Sequence, residues 1–323
     1  MIISRTPFRL SFAGGGTDLS SFYLEEEGAV LSTALNKFMY ITVNKRFDQS
    51  IRLSYSKTEI KKSVSEIEHP ILKQVLSQHA PEGGLEIISM ADIPSGTGLG
   101  SSSSFTVGLL HALESYRGRY KTAEDLAKEA CEIEIEKLHE PIGKQDQYIA
   151  AYGGLQFIRF SKSGEVFVDP VVCSSATKKS LEAHCMLFWT GLTRDAKSVL
   201  KEQKDNTQEK RPVLREMAKI ALKLKGILEE AKSLENFGSL LHDAWTLKKS
   251  VASNVSNIEI NDWYERARKA GAYGGKILGA GSGGFLMIFC DPAKQAAVKS
   301  ELRELSLFDV KFETQGSKII FMG

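Results

Sequence analysis

The pattern of apolar and polar positions in the first half of the chain alternates strand-like and helix-like stretches, cut by polar or glycine-rich breaks. Met1–Phe12 reads as a strand that ends in Gly14-Gly15-Gly16, and a helix is expected from about Leu19 to Glu27. Ala29–Arg46 and Ile51–Tyr55 carry the β-branched and aromatic residues of strands, a helix is expected over His69–His79, and Leu85–Met90 reads as the next strand. A glycine-serine run, Pro94 to Ser104, then leads into a buried helix beginning near Phe105. Thr122-Ala-Glu-Asp forms a capping box that opens a helix to about His139, and strands follow at Leu155–Phe160 and Val166–Val172.

The pattern changes after Cys173. Met186–Thr190 is a short apolar strand and Lys201–Lys210 a charged, polar connection. Helices are predicted at Pro212–Leu234, Phe237–Val255 and Ile258–Gly271. The tail reads strand, glycine turn and strand (Lys276–Cys290), helix (Pro292–Leu305), then strands Val310–Thr314 and Lys318–Met322. This is an α+β pattern in two domains, 1–175 and 176–323, with no internal repeat.

Composition narrows the possible partners. The 323 residues are 42% hydrophobic and 25% charged, as in a soluble globular protein of two ordinary domains. A net charge of +2 argues against charge-driven binding to nucleic acid or membranes. Four cysteines without CxxC spacing and six scattered histidines form no ligand cluster, and read as reduced thiols in a cytoplasmic protein. Arg5 and Arg9 interrupt the place where a signal peptide needs its apolar core.

Candidate chemistry lies in the breaks. In Pro94-Ser95-Gly96-Thr97-Gly98-Leu99-Gly100-Ser101-Ser102-Ser103-Ser104, three glycines permit positive φ and close backbone approach. Successive amides and the following helix's positive end can then meet a polyphosphate. The serine hydroxyls can donate to phosphate or ligate Mg²⁺. Glu134 falls on or beside the apolar stripe of its helix, which suits either a buried partner or a side chain reaching to water. Asp146, presented with Lys144 from the turn after Pro141 and Gly143, fits a general base with a charge stabiliser, and equally an Asx-turn. Arg9 breaks the alternation of a strand that should be buried, so a polar cavity is expected beside it. Asp18, after Gly15, Gly16 and Thr17, can accept hydrogen bonds from substrate hydroxyls or cap the next helix. Gly279-Ala-Gly-Ser-Gly-Gly284 matches GxGxxG, yet the strand that follows it excludes a dinucleotide fold, and a glycine hairpin closing over the site is expected. Arg194 and Lys197, beyond the strand Met186–Trp189, suit a dianion or a solvated first helical turn.

Taken together, Pro7 to Asp18, Pro94 to Ser104 and Lys276 to Phe285 resemble, in order, the three motifs of the GHMP kinases, and the resemblance spans nearly the whole chain. Phe-Ala-Gly-Gly-Gly-Thr-Asp and Gly-Lys-Gln-Asp-Gln-Tyr look like the branch that phosphorylates the anomeric hydroxyl of a heptose phosphate for GDP-heptose and surface polysaccharide. The resemblance implies a ferredoxin-like C-terminal domain, ATP held by Pro94–Ser104, and Mg²⁺ on Ser102 and Glu134. It makes Asp146 the catalytic acid–base group and gives Arg9 a role in activating the accepting hydroxyl, with Lys144 beside it. It makes Asp18 an acid that holds sugar hydroxyls; the sugar phosphate is then expected against Gly15, Gly16, Thr17, Gly281 and Gly283, with Arg194 and Lys197, at the end of the strand Met186–Trp189, as the candidates for its remote phosphate. Gly14-Gly15-Gly16-Thr17-Asp18 departs from the Gly-Glu-His-Thr-Asp of galactokinases, which favours a bulkier or phosphorylated sugar. A kinase for fucose or an unphosphorylated aldose, and a silent sugar sensor, are the alternatives; Asp146 and Glu134 weigh against the sensor. A homodimer is compatible with this reading.

Overall fold

The computed structural model describes residues 1–79, 83–192 and 196–323. Strands β1 (Ile2–Ala13), β2 (Gly28–Lys45), β3 (Ile51–Ser54), β4 (Thr58–Lys61), β5 (Leu85–Ala91), β6 (Leu155–Phe160) and β7 (Val166–Pro170) belong to one sheet. A second sheet holds β8 (Cys185–Trp189), β9 (Gly274–Ile277), β10 (Phe285–Phe289) and β11 (Ser306–Phe308). The short β12 (Phe312–Glu313) and β13 (Lys318–Met322) return to the first sheet, on β2 and β1. The C-terminal tail thus completes the N-terminal sheet, so the second unit does not run unbroken from 176 to 323.

β1 and β2 form the spine of the fold. Phe8, Leu10 and Phe12 are fully buried, and the helix Ser101–Tyr116 lies on the sheet at Gly108, where a Cβ would meet Thr6 Oγ1 at 2.8 Å, and at Ser104, whose Oγ donates to Pro7 O. Pro7 has no N–H to give the ladder, and the register slips there: Pro7 faces Phe38 while Phe8 faces Leu35. Beyond this irregularity β1 runs into the interior carrying Arg9.

The second sheet has the order β11-β8-β10-β9, all antiparallel. In chain order that is 4-1-3-2, the ferredoxin-like arrangement, with a long helical insert between β8 and β9. The expected charged connection within this insert is helical instead: Ala196–Asp205 and Thr207–Glu229 leave only Asn206 between them. Gln203 and Thr207 turn inward, while Arg211 and Arg215 pair with Glu25 and Glu26. Those pairs hold the tip of the segment expected to be helical over Leu19–Glu27, of which only Ser20–Tyr23 is helix. Sequence periodicity also missed β4, β11 and the helix Ser175–His184. The expected helix to His139 is α-helical only over Ala123–Cys131 and continues as a π-helical turn, Glu132–Lys137. The capping box at its start is present, with Thr122 and Asp125 bonded reciprocally.

Candidate active site

A cavity of about 800 Å³ lies between the two sheets, and the serine loop forms one wall. Gly96, Gly98 and Gly100 take φ of 78°, 82° and 76°, so the backbone curls in a way L side chains resist. Gly100 caps the helix Ser101–Tyr116 without any side-chain bond, which leaves the first-turn amides uncapped beside the cavity. Ser95, Gly96, Gly98, Gly100, Ser101, Ser102 and Ser103 line it. The remaining loop residues brace it instead. Thr97 bonds back to Pro94 O, Leu99 O accepts from Arg9 N, and Ser104 Oγ donates to Pro7 O.

The glycine hairpin Leu278–Gly284 packs on this loop from the second sheet, as expected. Phe285 N donates to Thr97 O at 3.3 Å, and a Cβ on Gly98 would lie 2.3 Å from Leu278 O. Gly281 and Gly283 line the cavity, where a Cβ on either would fall 2.5 Å from a backbone oxygen, that of Val255 or Leu192.

Arg9 and Asp146 meet at the centre. Arg9 Nε and Nη2 donate to the two oxygens of Asp146 at 2.7 and 2.8 Å, and Arg9 Nη1 donates to Gly98 O. This bidentate fork fixes the carboxylate's plane and ties it to the serine loop. Asp146 sits in the first turn of the helix Gln145–Tyr152, not in an Asx-turn. Glu134 is fully buried, with Ser102 Oγ at 2.6 Å and Gln147 Nε2 at 2.8 Å. Burial raises its pKa despite those donors. The π turn carries it beneath the loop, so the reading in which it reaches to water is set aside.

The Gly14–Asp18 segment forms the opposite wall. Asp18 Oδ1 accepts from Gly16 N at 2.8 Å, and Oδ2 accepts from Gln145 N and Nε2 at 3.3 and 3.1 Å. It holds the residue next to Asp146 and does not cap the following helix, whose N-cap is Leu19. Burial pushes its pKa up. Gly15 and Gly16 line the cavity. Thr17 is turned inward, its Oγ1 2.8 Å from Gly14 O and accepting from Ala29 N at 3.0 Å. Lys144 does not stand beside Asp146: its ammonium donates to Gly164 O at 2.8 Å and lies over the Tyr23 ring. Lys197 reaches the cavity's edge and pairs with Glu140 at 2.7 Å, while Arg194 lies outside the described residues.

Two buried lysines that sequence reasoning passed over face the same space. Lys276 donates to Ser11 O at 3.1 Å, and burial, with Lys248 and Arg9 nearby, pushes its pKa down to about 7. Lys248 donates to Gln203 Oε1 at 2.6 Å and to Gly15 O at 3.3 Å, and burial lowers its pKa to about 8. Their signal was present but weak: Lys276 interrupts an apolar strand, whereas Lys248 ends an amphipathic helix where a lysine is ordinary. The cavity's far end beyond the serine loop is apolar and aromatic, with Met39, Tyr55, His69, Ile71 and Phe105. His69 packs against both Tyr55 and Phe105, and burial lowers its pKa, favouring the neutral ring.

The arrangement joins a glycine-serine loop with uncapped helix amides, a fixed carboxylate and a two-sided cleft. Residues 49–154 match the model for the N-terminal domain of GHMP kinases and residues 210–306 the model for their C-terminal domain. The chain is 32% identical to D-glycero-alpha-D-manno-heptose 7-phosphate kinase of Campylobacter jejuni, over 98% of each protein. The chain is a GHMP kinase. As such it is an ATP-dependent phosphotransferase acting on an alcohol group. This kinase is also 25% identical to the bifunctional fucokinase/GDP-fucose pyrophosphorylase of Arabidopsis thaliana, over 94% of its own length and 31% of that protein's. Its fold matches the crystal structure of a D-glycero-D-manno-heptose 1-phosphate kinase from Bacteroides thetaiotaomicron with a TM-score of 0.83, at 23% identity over the whole of both chains. Among the described residues, no helix is long and apolar enough to cross a membrane.

Proposed function

We propose that this kinase transfers the ATP γ-phosphoryl group to the anomeric hydroxyl of D-glycero-D-manno-heptose 7-phosphate, giving the 1,7-bisphosphate. The observation that carries the reading is the Arg9–Asp146 fork, anchored to the serine loop on one side and open to a cleft with buried cations on the other. The relative 32% identical over nearly the full length supports the acceptor's identity.

Phosphoryl transfer of this kind depends on positioning and charge stabilisation. The loop amides and the uncapped helix end hold the β- and γ-phosphates, and the cluster of Met39, Tyr55, His69 and Phe105 takes the flat base. Asp146, its plane set by Arg9, accepts the proton of the sugar hydroxyl. Lys276 replaces Lys144 as the cation beside the reacting oxygens, because it shares the cavity with Arg9 and Asp146. Ser11 Oγ and Gln145 Oε1 have no partner inside the protein and suit sugar hydroxyls.

The residues also fit a divalent cation. Glu134 and Ser102 offer a carboxylate and a hydroxyl 2.6 Å apart at the loop, hard oxygen donors of the kind Mg²⁺ uses alongside phosphates and water. Mg²⁺ held there would neutralise charge on the phosphates. Carboxylate, hydroxyl and loop then serve one ligand.

A panel of sugars and sugar phosphates incubated with ATP tests the reading. Heptose 7-phosphate is expected to give the highest kcat/KM. A higher value for fucose, galactose or unphosphorylated heptose would replace it with the alternative it defeats here.

A further inference from the structure

Lys248 and Gln203 form a feature of the cleft that phosphoryl transfer itself does not need. Lys248 is only 6% exposed, and both of its hydrogen-bond acceptors, Gln203 Oε1 and Gly15 O, are neutral. Among the described residues no carboxylate lies within ion-pair distance of it. A lysine can only donate, so the Gln203 amide turns its oxygen toward Lys248 and its NH₂ away. That NH₂, on a fully buried side chain, has no partner. Gly16 leaves room for it: a Cβ there would lie 1.9 Å from Gln203 Nε2. A buried cation on neutral partners and a buried donor with none are each costly. One ligand relieves both, namely an anion with several acceptor oxygens.

The contacts order the cleft. The serine loop touches Arg9 and Asp146; Asp146 adjoins Gln145, which Asp18 holds; Lys248 sits beyond, on Gly15 and Gln203. Along this chain of contacts Asp146 and Gln145 stand between Lys248 and the serine loop. We propose that Lys248 Nζ and Gln203 Nε2 receive a phosphate monoester carried by the acceptor, at the end remote from the hydroxyl that is phosphorylated. This rests on the sugar-kinase reading above and assigns the residues that select a phosphorylated acceptor over a plain one. Burial lowers the pKa of Lys248 in the free protein, and a dianion beside it would draw the proton back.

The test compares wild type with Lys248→Met, Lys248→Arg and Gln203→Leu. KM is measured for heptose 7-phosphate, for unphosphorylated heptose and for ATP. Thermal shifts are recorded with unphosphorylated heptose and with heptose 7-phosphate, without nucleotide. Lys248→Met is expected to raise KM for heptose 7-phosphate on the order of 30–1000-fold, with KM for ATP changed by less than about threefold. The preference for the phosphorylated sugar should fall by the same factor, and the thermal shift given by heptose 7-phosphate should shrink to that given by the unphosphorylated sugar. Lys248→Arg should restore part of the preference. Gln203→Leu should weaken it in the same direction, and it carries the test if Lys248→Met does not fold. A wild type with no preference for the phosphorylated sugar overturns the acceptor reading and this inference together. A preference that survives in Lys248→Met, or a KM that rises equally for both sugars, overturns the receptor alone.

Discussion

Asp146 is held by two hydrogen bonds from one guanidinium, so its oxygens have a fixed direction before any substrate arrives. Replacing it with Asn keeps the shape and one acceptor but removes the proton acceptor. Asp146→Asn is expected to lower kcat by on the order of 10²–10⁴ while the Kd for ATP, measured by calorimetry, stays near wild type. Lys276 offers a second check, through pH. Its folded-state pKa, pushed down to about 7, lies below that of an unfolded lysine. The unfolded chain therefore binds the extra proton between about pH 7 and 10, and free-protein stability rises with pH across that window. The penalty is complete below pH 7 and gone above pH 10.5. Denaturant unfolding should find Lys276→Met more stable than wild type at pH 6.5, by about a few kcal/mol, with the gap closing toward pH 10. A gap independent of pH would mean that Lys276 is not buried as an ammonium. Arg9 was legible in the sequence because a charge in the interior half of a strand has to face something polar. Lys248 was not, since only tertiary packing turns the last turn of its helix inward.

Secondary structure elements bring the loop and the hairpin together, and their glycines carry the fit. Gly96 and Gly98 share a left-handed φ, yet a Cβ on Gly96 meets nothing within 4 Å while one on Gly98 would overlap the Leu278 carbonyl. Gly96→Ala should thus show backbone strain alone, about 1–3 kcal/mol. Gly98→Ala should cost more and also raise KM for ATP, because the loop must leave the hairpin. Equal effects of the two substitutions on unfolding and on KM would show that the hairpin does not brace the loop. Much of this level was readable from sequence: the glycine spacing gave the loop, and the strand after GxGxxG excluded a dinucleotide site. The π turn at Glu132–Lys137 was not readable, because its residues keep the apolar stripe of an α-helix. The helix over Ala196–Asp205 was hidden by its charges, which leave only a few residues, Val199 and Gln203 among them, to go inside.

Across the whole molecule the cleft exists because two sheets share it, one supplying Arg9, Asp18 and the serine loop, the other the glycine hairpin and Lys276. The α+β class was evident from the chain. The return of β12 and β13 to the first sheet was not, since short strands at a terminus carry no sign of their partner. In the proposed reaction this cleft directs the γ-phosphoryl group to the anomeric oxygen of a sugar already phosphorylated at its far end. Phosphorus NMR of the reaction between the kinase, ATP, Mg²⁺ and heptose 7-phosphate identifies the carbon that receives the phosphate. One new anomeric phosphate signal, coupled to the C1 proton, is expected to grow in step with ADP while the 7-phosphate signal persists. ADP formation without that signal, or a new phosphate on a different carbon, would contradict the proposed reaction.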